Sequence, residues 1–154
     1  MISSRAGKRV VTAAKDFRTF YAEATGIQLR MIYAENISSF TEQSKYIVIG
    51  ENSLLHMAGL ETDLNLLGIQ GFQIQTVGNS VFILGTDAGA QYGTYQLLTE
   101  LFQFDYYGKN SYTLSRNVNE VPLKNYDITD VPDISIRRPN YLFLMSDSVT
   151  SDRM

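Results

Sequence analysis

The stretch GFQIQTVGNSVFILGTDAGAQYGTYQLLTELFQFDYY, residues 71–107, decides the fold. Phe72, Ile74 and Thr76 alternate with Gln73 and Gln75, the period of a half-buried strand. Gly78-Asn79 then supplies a two-residue turn, with glycine where a positive φ is needed. Val81 to Leu84 is apolar throughout, so the returning strand lies deeper in the sheet. Gly85, Thr86, Asp87 and Gly89 make a strand-to-helix loop. A helix over about residues 88–102 follows, with Tyr92, Tyr95, Leu98 and Phe102 on one side and Asp87 or Thr86 capping its first turn.

Working towards the start, Val10, Ala14, Phe17, Tyr21 and Ala24 fall on one helical face, and Gly26 is placed to stop that helix in a left-handed cap. The spacing predicts a helix over residues 8–25. Residues 46–50 form a short apolar run ending in glycine, which suits a strand covered on both faces. Residues 54–58 and 64–67 read as short helices or turns. Beyond Gly108 the text is extended and polar through Asp130, broken by Val-Pro at 121–122 and 131–132. Tyr141 to Met145 is a final apolar run. The order implies an α+β fold: a two-layer α/β sandwich whose mixed, mostly antiparallel sheet carries both long helices on one face.

A chain of 154 residues supports one domain with a real core. Its 44% hydrophobic and 19% charged residues are ordinary for a globular protein. A net charge of −3, with basic residues scattered apart from Lys8-Arg9 and Arg137-Arg138, makes nucleic acid a poor partner. No run reaches the roughly 18 apolar residues that mark a membrane span. The absence of cysteine excludes disulfides and thiolate zinc sites but identifies no compartment. The start, MISSRAGKRV, has positive charge without an apolar core behind it, so it does not read as an intact signal peptide.

Few residues carry chemistry. His56 is the sole histidine, with no Gly-x-Ser-x-Gly elbow and no EF-hand spacing in the chain, so no metal and no cofactor are expected. A small hydrolase centred on His56 is one alternative; a lone histidine between Leu55 and Met57 is more often structural. Gly85, Gly89 and Gly93 lack the partner residues of a phosphate loop. They read instead as chain-turning glycines, with Gly93 letting its helix approach the sheet. Asp105, Asp127, Asp130 and Asp133 lie where aspartate commonly bonds nearby backbone. Tyr106, Tyr107, Tyr112, Tyr126 and Tyr141 offer faces for sugar rings, although core packing is the commoner use. Asn36-Ile37-Ser38 matches a short glycosylation sequon.

The elements Gly71 to Ile74, Gly78 to Gly85, Tyr92 to Leu98 and Phe104 to Tyr107, followed by VPDISIRRP at 131–139, resemble a known domain. It is similar to the module preceding the catalytic barrel in family 20 beta-hexosaminidases and family 67 alpha-glucuronidases, over residues 8–140. The resemblance implies a non-catalytic α/β sandwich, residues 1–140, and a following barrel truncated after its first strand, residues 141–154. It implies a glycoside hydrolase-like parent, extracellular or periplasmic, in which this chain is not catalytic alone and its partner is the barrel of the same polypeptide. Arg138, just after the Pro132 exit, stands where such enzymes place an arginine that reaches the sugar, with Pro139 in place of the family's glycine. Tyr106 and Tyr107 are further substrate-binding candidates. A free-standing module that binds polysaccharide through these tyrosines is the other alternative.

Overall fold

A computed structural model describes residues 1–108 and 111–133. Arg138, Tyr141 and the proposed barrel start at 141–154 lie outside the described residues. The chain runs through helix α1 (Lys8–Thr25), a single 3-10 turn (Ala34–Asn36) and strand β1 (Ile47–Ile49). Two short helices follow, α2 (Ser53–Met57) and α3 (Leu64–Leu67), then the hairpin β2 (Phe72–Val77) and β3 (Ser80–Gly85). Helix α4 (Asp87–Phe102), a small hairpin of β4 (Asp105–Gly108) and β5 (Ser111–Thr113), and strand β6 (Asp127–Asp130) complete it.

The main sheet has the order β1-β3-β2-β6. β1 lies parallel to β3, whereas β2 runs antiparallel to both β3 and β6. The fold is therefore the expected α+β sandwich with a mixed sheet and two long helices. Apolar alternation sorts the sheet into two faces. Phe72, Ile74, Val81, Ile83 and Ile49 point to one core with α1 and α4, while Val48, Phe82 and Leu84 meet Leu54, Leu55 and Ala34 on the other. Six consecutive buried residues in β3 follow from this central, two-sided position.

Both long helices differ from their simple stripes in an instructive way. In α4 the buried positions are Gly89, Ala90, Gln91, Gly93, Thr94, Leu97, Leu98 and Phe102; Tyr92 and Tyr95 flank them. Small residues face the sheet because the helix sits close. A Cβ on Gly93 would come within 2.7 Å of Ile83 Cγ2, and one on Gly89 would collide with the Gly71 carbonyl. In α1 burial extends to Ala13, Asp16 and Phe20, because that helix also packs beside α4. Asp16 tolerates burial by accepting the Tyr95 hydroxyl at 2.7 Å.

The helix ends are closed by distant parts of the chain. Gly7 at the N-cap of α1 has no side chain to offer, and Asp87 takes the backbone N–H groups of Arg9 and Val10 instead. Thr86, not Asp87, caps α4 by accepting the Gly89 N–H. Gly26 closes α1 in the left-handed conformation, as its position predicts. The polar stretch after Gly108 proves more ordered than its composition implies. It contributes β5 and the edge strand β6, and Val118 and Ser115 donate to the terminal carbonyls of Ala24 and Phe102. The first residues are likewise pinned. Ile2 is buried beside Tyr33, and Glu35 accepts the Ser3 hydroxyl at 2.6 Å and the Ser4 N–H at 3.0 Å.

Candidate functional site

The place where the chain leaves the sheet carries exposed apolar side chains. Register sets Asp130 opposite Phe72, so Val131 leaves β6 level with Gly71, two residues beyond Ile69. Thr86 holds this corner by donating to the Ile69 carbonyl at 2.5 Å. Asp63 caps α3 through the Asn65 and Leu66 N–H groups and so fixes the neighbouring turn. The result is a corner from which Leu66 (65% exposed), Ile69 (71%) and Val131 (45%) project into solvent. Backbone bonding orders this corner without burying those three side chains.

The tyrosine hairpin divides its residues between two uses. Tyr106 and Tyr112 are directly paired across β4 and β5 and pack against the helix-side core. Phe104 bridges Phe20, Tyr95 and Tyr112 with ring centroids 4.5, 6.1 and 6.0 Å away. Tyr112 donates its hydroxyl to Glu23 at 2.8 Å, and Arg116 Nε donates to the same carboxylate at 2.9 Å. Burial pushes the Glu23 carboxyl up, but these two partners outweigh it and hold the group below the usual carboxylate range. The bond to Glu23, and then burial, push the Tyr112 hydroxyl up. Tyr107 points the other way and is 65% exposed, so of the two tyrosine candidates on β4 it alone presents an open ring.

The remaining chemical candidates are dispersed. His56 is exposed on α2, a helix that covers the sheet face away from α1 and α4. Asp105 begins β4, whereas Asp127 and Asp130 are the two ends of β6. Among the described residues no three His, Asp or Glu side chains converge as a metal site would require. Gly85, Gly89 and Gly93 serve packing: their missing side chains make room for the Gly71 carbonyl, Ile83 and Phe72. No described helix is long and apolar enough to cross a membrane.

One feature has no counterpart in the sequence reading. An open cleft of about 590 Å³ lies between the two long helices and the β1–β3 end of the sheet, roofed on one side by the 121–126 segment. Its walls come from residues between Met1 and Tyr126, so no local motif announces it.

The chain matches no protein-family model and no curated protein.

Proposed function

We propose that this chain is the non-catalytic accessory domain of a glycoside hydrolase-like protein and packs against a catalytic barrel. The observation that carries this reading is the exposed apolar corner of Leu66, Ile69 and Val131, which surrounds the point where the chain leaves β6. A following domain tethered there meets that corner first. The likeness of residues 71–107 and 131–139 to modules that precede such barrels supports the same reading. In that role the sandwich braces its neighbour, and the barrel supplies the acids that cleave the sugar.

The deciding experiment compares Ile69→Asp in this chain alone and in the polypeptide extended downstream through its reading frame. Calorimetry should show an unchanged melting temperature for the short chain, because Ile69 is exposed. The long polypeptide should show an earlier or split transition. An unaffected long polypeptide, a frame that encodes no barrel, or turnover of aryl glycosides by the short chain would each overturn the proposal.

A further inference from the structure

The cleft between the helices and the sheet is built unlike the rest of the surface. Its volume of about 590 Å³ lies inside the roughly 300–1,000 Å³ range of small-molecule sites. Phe17 and Tyr21 of α1 and Leu97 and Leu101 of α4 form one wall, and Ile47 and Val81 of the sheet form the floor. Three cations, Arg18, Arg30 and Lys45, stand among the lining residues, and no aspartate or glutamate does. On a chain of net charge −3 this is a local reversal of sign.

Only one of these cations is spent on the protein itself. Arg18 uses Nε to hold the Leu29 carbonyl at 2.9 Å, which fixes its guanidinium beside the cleft. Neither Arg30 nor Lys45 has a hydrogen bond or ion pair among the described residues. Both are exposed, so they can reorient towards an incoming anion at little cost.

We infer that the cleft binds a single-chain amphiphilic anion, with an alkyl chain along the partly exposed Tyr21, Leu101 and Ile47 and a carboxylate among Arg18, Arg30 and Lys45. The chemistry selects against other classes. A sugar would bury hydroxyls against apolar walls, and each one left unpaired would lose its bond to water without replacement. An uncharged hydrocarbon would gain nothing from the cationic rim, and a cationic amphiphile would be repelled by it. This goes beyond the accessory-domain reading and involves a different face, so either stands if the other falls.

The test is calorimetric titration of the purified chain with dodecanoate, dodecan-1-ol and dodecyltrimethylammonium, all below micelle formation. Dodecanoate should bind at least about tenfold more tightly than the alcohol, as expected for a hydrogen-bonded charge, and the ammonium ion should not bind measurably. Arg30→Ala/Lys45→Ala should remove that preference without shifting the melting temperature. Leu101→Trp, which fills the cleft, should weaken dodecanoate and dodecanol alike. Equal affinity for acid and alcohol, no binding of either, or selectivity that survives the double substitution would overturn the inference.

Discussion

The carboxylate of Asp87 accepts the backbone N–H of Val10 at 3.1 Å, so the first residue of α4 closes the start of α1. It also reaches the Arg9 N–H, and these are the two donors that an N-cap side chain of α1 would have taken. Gly7 is what permits the approach, since any Cβ there would overlap the carboxylate. Asp87→Ala should therefore cost about 1–2 kcal/mol, at the upper end of the range for a lost cap. Gly7→Ala should cost a similar amount by pushing Asp87 away. Urea unfolding of both variants and of the double variant checks this; the double should be clearly less than additive.

Gly93→Ala sets two effects against each other. Alanine is the better helix former by about 1 kcal/mol. Here its Cβ would lie 2.7 Å from Ile83 Cγ2 and 3.0 Å from the Phe72 ring, both in a packed core. Overpacking of this kind costs about 1–3 kcal/mol, so the net expectation is a modest loss. A stabilised Gly93→Ala protein in thermal unfolding would show that α4 shifts freely over the sheet.

Glu35 gives a prediction in pH. Its carboxyl is held down to about 2, first by the Ser3 hydroxyl and then by backbone N–H groups including that of Ser4. A carboxylate with a lowered folded-state pKa stabilises the fold above its ordinary value, and that contribution is lost as pH falls. The window runs from the ordinary 4.5 down to about 2. Thermal melts across it should fall more steeply for the parent protein than for Glu35→Gln. Parallel curves would refute the clamp.

The hairpin tyrosines should separate by role. Tyr112→Ala breaks the packing with Phe20 and Phe104 and removes a partner of Glu23, for an expected loss of about 2 kcal/mol or more. Tyr107→Ala should leave stability within about 0.5 kcal/mol, as for other exposed sites. Affinity electrophoresis in polysaccharide gels then isolates any binding role. Retardation that vanishes with Tyr107→Ala alone would favour the free-standing carbohydrate-binding alternative over the bracing role.

The hairpin and both long helices were legible because β2 alternates, β3 is an unbroken apolar run, the helices carry apolar residues at helical spacing, and their ends hold glycine or a capping hydroxyl, as at Gly78, Gly26 and Thr86. β6 was not. In Asp127-Ile128-Thr129-Asp130 only Ile128 is apolar, and an edge strand needs no more, since β2 supplies its hydrogen bonds from one side. Asp87 was readable as a cap, but not as the cap of a helix far behind it. The exit corner was half legible: Val131 and Pro132 mark the departure, while Leu66 and Ile69 join them only through the Phe72–Asp130 register. The cleft was invisible because its cations and its walls come from seven separate parts of the chain.

The long reach of Asp87 bears on how the molecule is made. The bond to Val10 spans 77 positions, so the opening helix emerges from the ribosome well before the group that secures it. Most of a helix's stability in a protein comes from the packing of its apolar face rather than from propensity, and contacts this distant slow folding. Nascent chains halted before residue 87 should leave α1 frayed and open to proteases, and protection should arrive in one step once α4 docks.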